Sequence, residues 1–387
     1  MRRVSFVTFS RSDYASIRPV ALAAEASAEL GVKVIAGGSH LLKRFGSTIQ
    51  DIRTDGYENL VPLEFMQEGD STHRELADAY RRAVSGLFAE LSNDKPDFLF
   101  ILGDRWEMLA AATVAAMLRI PIVHHSGGDI TQGSADNQTR YALSALSHLH
   151  LVAVEEHAAR LVALGEETWR VHTTGEPALT ALKTLGQSGV SIYEKLGICS
   201  EESFVLATFH PTSYEALPIP EQIEVFIKAL SQIDDNLIIT APNPDAGSGM
   251  FLTALQEFAA AHERVRLFDS LGLETYYAAM ASARFMIGNS SSGIWEAPSF
   301  SLPVINIGER QAGRLRSTNV IDVPLDAEAI GRAIKGLHSP EFLQGLKGCE
   351  NKYVKENTIE LIMNVLCTPF ERNTLLAKRF VDPLNHA

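Results

Sequence analysis

The chain has 387 residues, 46% of them hydrophobic and 21% charged, with a formal net charge of −13. That length exceeds one compact core and suits two domains, and the balance excludes a disordered or fibrous protein. The acidic charge disfavours nonspecific nucleic-acid binding, so an anionic ligand needs a local basic site. Met1-Arg2-Arg3 precedes an apolar run, Val4–Phe9, too short for a signal peptide, and no stretch reaches the length of a membrane span. Three scattered cysteines, Cys199, Cys349 and Cys367, fit a reduced cytoplasm better than a disulfide framework.

In chain order, Val4–Phe9, Val32–Ala36, Phe98–Leu102, Pro121–His125 and Leu149–Val154 read as strands, with helical patterns such as Ile17–Leu30 and Glu107–Leu118 between them. This βαβ order, with apolar character running continuously through Phe98–Leu102, predicts a parallel sheet covered on both faces. The pattern restarts after Gly175-Glu176-Pro177. Phe204–Thr208, Asn236–Ala241, Val265–Phe268, Phe285–Ile287 and Val304–Ile307 are the strands, and Glu221–Leu230 and Phe251–Ala261 are among the helices. The fold class is therefore α/β, with two doubly wound Rossmann-like domains. The boundary falls where a helical pattern over Ala178–Leu185 meets Gly186-Gln187-Ser188-Gly189; residues 1–180 form the first domain and 181–366 the second. Ligands of such sheets bind at the carboxyl ends of the strands, so the chemistry is sought in the loops that follow them.

The first strand ends in Ser10-Arg11-Ser12-Asp13-Tyr14, with neither a dinucleotide nor a Walker phosphate loop, and Arg11 is placed to grip a phosphate or to make a surface ion pair. Phe98–Leu102 runs into Gly103-Asp104-Arg105-Trp106-Glu107, where Asp104 reads equally as a helix cap and as a catalytic group. After Pro121–His125 come Ser126, Gly127, Gly128 and Asp129, then Thr131, Gly133, Asp136 and Asn137, before a helix starting near Arg140. Carboxylates converging in one cleft have their pKa values pushed apart, which yields an acid and a base. His124 and His125 are adjacent on a strand and point to opposite faces, which favours packing over metal binding.

In the second half, His210 follows a strand beside Thr212 and Ser213, in reach of phosphate contact or acid–base work. Gly288-Asn289-Ser290-Ser291-Ser292-Gly293-Ile294-Trp295-Glu296 is a glycine and serine loop opening a helix. It is suited to a diphosphate, with Glu296 accepting from ribose hydroxyls. Arg310, Arg314 and Arg316 lie in a loop further on and read as solvated charge or as an anionic contact.

The serine loop, with Ala297, Pro298, Pro303, Asn306, Gly308, Arg310, Gln311, Gly313 and Arg314, closely resembles the hydrolysing UDP-N-acetylglucosamine 2-epimerase family. The likeness extends over Arg11–Tyr14, Gly103–Glu107, Gly127-Gly128, Ser147–His150 and His210-Pro211. The resemblance implies a GT-B type architecture with the active site in the interdomain cleft, and a C-terminal segment, residues 367–387, packing back on the first domain. It implies Asp104, Asp129, Asp136 and His210 as catalytic groups. It puts Arg11, His210, Ser290, Ser291, Ser292, Gly293 and Glu296 on the nucleotide, with Glu107, Arg140, Arg310 and Arg314 as further substrate or phosphate contacts. No metal or cofactor is implied; a homo-oligomer is. Two departures stand out: Asp129 occupies a position where the family carries Glu, and Tyr141 one where it carries His. The shorter carboxylate leaves open a UDP- or GDP-linked 2,4-diacetamido-trideoxy sugar, as in legionaminic-acid synthesis, beside N-acetylglucosamine and its route to sialic acid. A glycosyltransferase, a silent nucleotide-sugar binder and a non-hydrolysing epimerase are the rival readings.

Overall fold

A computed structural model describes residues 1–184, 191–200, 202–212, 214–243, 245 and 247–382. Part of the expected boundary, residues 185–190, as well as Ser213 and the last five residues, lies outside them.

Two wholly parallel sheets carry the fold. The first holds β1 (Arg2–Thr8), β2 (Leu30–Gly37), β3 (Leu60–Leu63), β4 (Phe98–Leu102), β5 (Ile122–His125), β6 (Leu149–Val152) and β7 (Val171–Thr173), in the order β3-β2-β1-β4-β5-β6-β7. The second holds β8 (Phe204–Thr208), β9 (Asn236–Thr240), β10 (Val265–Phe268), β11 (Met286–Gly288), β12 (Val304–Ile307) and β13 (Val320–Val323), in the order β10-β9-β8-β11-β12-β13.

Each central strand feeds two cores, because successive side chains point to opposite faces. In β4, Phe98, Phe100 and Leu102 enter one cluster with Val4 and Phe6, while Leu99 and Ile101 enter another with Val7, Phe9 and Ile35. In β8, Val205 and Ala207 face one core, and Phe204 and Leu206 the other. The sequential order of the strands reverses between β1 and β4 and again between β8 and β11, so a crevice opens at the carboxyl ends of those two pairs.

The helix after β1 begins earlier than the sequence periodicity suggests, spanning Arg11–Glu25. Ser10 caps it by accepting from the Asp13 amide, and the Asp13 carboxylate accepts from the Ser10 amide in return. The helix carrying Asp136 likewise starts at that residue and runs Asp136–Leu146, rather than beginning near Arg140.

The chain crosses between the sheets twice, and the crossings touch. The Glu176 amide donates to the Tyr353 carbonyl at 3.0 Å, and Lys355 Nζ to the Thr173 carbonyl at 3.0 Å. The return comes before residue 367: Ile362, Val365 and Leu366 of helix Thr358–Cys367 already lie in the core of the first sheet with Phe6 and Phe98, followed by Leu375.

Candidate active site

A cavity of about 510 Å³ lies at the two switch points. One wall comes from the first sheet: Arg11–Ser16 after β1, Gly103-Asp104-Arg105 after β4, and Thr131, Ser134 and Asp136 after β5. The facing wall comes from the second: His210 after β8, Asn243 after β9, Ser270–Tyr277 after β10, Ser290–Ser292 with Trp295 and Glu296 after β11, and Arg310, Gln311 and Arg314 after β12.

Asp104 does not cap the following helix, whose first flanking residue is Arg105. Its carboxylate is instead ion-paired with the buried Arg140 guanidinium. Asp136 shares the same wall. Burial and the neighbouring Asp104 and Asp245 push its pKa up to about 6, against the pull of Arg105 and Arg310. Arg105 spans the domains, donating to Glu107 in its own turn and to Asp245 Oδ1 at 3.1 Å in the opposite domain. The turn that carries Asp104 is itself fixed by His124, whose Nε2 lies 2.8 Å from the Gly103 carbonyl.

On the other side, Asn289 holds the His210 backbone by both ends: its Oδ1 accepts from the His210 amide at 2.7 Å and its Nδ2 donates to the His210 carbonyl at 2.8 Å. The Asn243 amide donates to His210 Nδ1 at 3.0 Å, which leaves the ring proton on Nε2. Burial, then Arg310, Arg11 and Arg105, hold this imidazole well below its usual pKa, so it is a neutral Nε2–H donor. Arg310 and Gln311 are held by the Asn289 carbonyl, at 3.1 and 2.8 Å.

The serine loop is followed by a single helical turn, Ser292–Trp295, and a 3-10 turn, Ala297–Phe300, rather than by a long helix. Hydroxyls, not a macrodipole, are what it offers. Glu296 carries a buried Oε2 without a hydrogen-bond partner, and burial and Glu176 push its pKa up to about 8. Arg11 lines the cavity, and its guanidinium donates across the cleft to the carbonyls of Asp269 and, at 3.1 Å, Ala241.

Of the residues singled out from the sequence, the structure brings Asp104, Asp136, His210, Arg11, Ser290, Ser291, Ser292, Glu296, Arg310 and Arg314 to one cavity. Glu107, Arg140 and Gly293 stand behind its wall, Glu107 against Arg105 and Arg140 against Asp104. Asp129 also stands behind it, paired with Arg314 and His157. His125, like His124, is buried and engaged with its neighbours, Ser126 Oγ and the Gly175 carbonyl. The sequence reading gave no role to Arg105, Asp245 or His157. Arg105 lay within a quoted turn, but Asp245 and His157 carry no local signal, since their partners come from distant parts of the chain.

The sequence profile of the UDP-N-acetylglucosamine 2-epimerase family matches residues 22–367. The chain belongs to this family. It is 33% identical, over 98% of its length and 99% of the relative's, to the GDP/UDP-N,N'-diacetylbacillosamine 2-epimerase (hydrolyzing) of Campylobacter jejuni. It is 33% identical to the UDP-N,N'-diacetylbacillosamine 2-epimerase (hydrolyzing) of Legionella pneumophila, over 88% of this chain and 90% of that one. The UDP-N-acetylglucosamine 2-epimerase of Neisseria meningitidis is 29% identical over 99% of both chains. In fold, this member of the family matches the crystal structure of a Neisseria meningitidis UDP-GlcNAc 2-epimerase with a TM-score of 0.80, at 18% identity over 94% of this chain and 99% of that one. The two Rossmann-like domains are of the GT-B type. Among the described residues no helix is long and apolar enough to cross a membrane.

Proposed function

We propose that the protein is a hydrolysing 2-epimerase, which converts a nucleotide-linked 2-acetamido sugar and water into the free C2-inverted sugar and the nucleoside diphosphate. The observation that carries this reading is one cavity with Asp104 and Asp136 on one wall and Ser290–Ser292, His210 and Arg310 on the other. The second wall suits a diphosphate leaving group: three hydroxyls, a neutral Nε2–H and a guanidinium all donate. The unpartnered Oε2 of Glu296 suits ribose hydroxyls.

A C2 proton of a glycosyl diphosphate has no adjacent carbonyl and cannot be removed by enolisation. As the C1–O bond to the diphosphate breaks, positive character at C1 acidifies that proton; a carboxylate takes it and a glycal forms. Asp104, held by Arg140, stands for the base. Asp136, held toward its protonated form, stands for the acid that delivers a proton to the opposite face of C2 while water adds at C1. Donors fixed before the reaction stabilise the departing charge.

The relatives named for N,N'-diacetylbacillosamine favour a second sugar, 2,4-diacetamido-2,4,6-trideoxy, on UDP or GDP. Incubation in deuterated water with UDP-N-acetylglucosamine and, separately, with the UDP- and GDP-linked diacetamido sugar, followed by proton NMR, tests the reading. Expected from one of them is a free sugar inverted and deuterated at C2, with release of the nucleotide. A product still linked to its nucleotide, turnover that waits for an acceptor, or silence on all three would sink it.

A further inference from the structure

Asp129 is buried, 1% exposed, and its carboxylate faces Arg314 and His157 rather than the cavity. Oδ2 lies 2.8 Å from Arg314 Nε, and Oδ1 lies 3.3 Å from His157 Nε2 and accepts from the Ile130 amide at 2.8 Å. Burial alone favours its neutral form, yet Arg314, His157 and Arg140 outweigh that and hold its pKa below the usual carboxylate range, which makes it a weak base. Arg314 belongs to the opposite domain, lines the cavity, and stacks 4.5 Å over the Trp295 ring.

Around this pair the loops of the two domains meet backbone to backbone. The Gln132 amide donates to the Ala312 carbonyl at 3.0 Å. A Cβ added at Gly133 would lie 2.0 Å from the Glu309 carbonyl oxygen, and one at Gly313 would lie 2.4 Å from Ile130 Cγ2. One of these loops ends in Asp136, and the other carries Arg310, which acts on Asp136 electrostatically.

We propose that Asp129 is a positioning residue, whose ion pair with Arg314 latches the loop carrying Asp136 onto the loop carrying Arg310, so that Asp136 is set in place only when the two domains are docked. This rests on the reading of Asp136 as a proton-transfer group. A buried charge is tolerated only opposite another, so separating the loops takes from Arg314 its carboxylate and from Asp129 its nearest cation, and the docked arrangement is favoured.

Asp129→Asn keeps the shape and removes the charge. The expected result is a fall in kcat of about 10- to 100-fold, with KM for the nucleotide sugar changed by less than about threefold and the alkaline limb of the pH profile retained, its midpoint moved as Arg310 draws away from Asp136. In an Arg314→Gln background the same substitution should cost less than about threefold, because the latch is already open. Gly133→Ala, which leaves every carboxylate in place, should give a similar kcat-selective loss, and carries the test if Asp129→Asn fails to fold. Equal cost of Asp129→Asn in both backgrounds, full activity of Gly133→Ala, or loss of the alkaline limb in Asp129→Asn would overturn the latch. Absence of wild-type turnover is read separately, since it overturns the reaction itself.

Discussion

Asp136 sits among two carboxylates and two guanidiniums, and its protonation is the balance of burial and these four groups. The acid form dominates below about pH 6 in the free protein. A bound diphosphate adds negative charge and moves that midpoint further up. If Asp136 is the acid, kcat falls tenfold per unit as pH rises beyond the bound-state midpoint. Asp136→Asn should be slower by about 10²- to 10⁴-fold and should lack this alkaline limb. The measurement is kcat against pH for both proteins; a limb that survives the substitution assigns the titration elsewhere. At the same scale, the sequence made most of the cavity legible, because Asp104, His210 and the serines directly follow strongly apolar strands. It could not place Asp129, since a carboxylate pointing into a cleft and one turned away toward a distant arginine read alike in one dimension.

Strand ends decide where those groups stand. Gly288 closes β11 at φ 138°, and an added Cβ would lie 1.9 Å from the Thr208 carbonyl oxygen of β8. Only glycine allows the chain to pass so close and then place Asn289 against His210. Gly288→Ala should therefore cost more than about 2 kcal/mol in denaturant unfolding and weaken binding of the proposed nucleoside diphosphate, UDP or GDP, through the displaced Asn289 clamp. A variant as stable as the parent would show that β8 and β11 can part without loss. Strands with apolar residues on both faces were readable end to end, as in Phe98–Leu102, Phe204–Thr208 and Val304–Ile307, and so was one edge strand, Val265–Phe268. The edge strands β3, β7 and β13 were missed, because one side of each is only partly covered and β3 contains Pro62. The serine loop misled in the other direction: its composition reads as the start of a regular helix, whereas Pro298 and the tight turn after Glu296 end it within one turn.

For the whole molecule, the helix Thr358–Cys367 belongs to the first sheet's core although it follows the second sheet in sequence. Leu366→Ala removes a fully buried side chain there and should cost about 2–5 kcal/mol. Urea unfolding followed by tryptophan fluorescence, to which Trp106 on the first sheet's other core contributes, reports it; an unchanged midpoint would mean that the helix is a passenger. The sequence pattern could not show this return, since an amphipathic helix carries no mark of which sheet it will cover.

The paired crossings at Glu176 and Tyr353 make the second sheet, topologically, an insert within the first. Its two ends leave and re-enter side by side, so a chimaera assembled with one junction would deprive the recipient of its closing helix. One assembled with two junctions, at these adjacent sites, would exchange the half proposed to hold the diphosphate as a cassette and leave the carboxylate-bearing half intact.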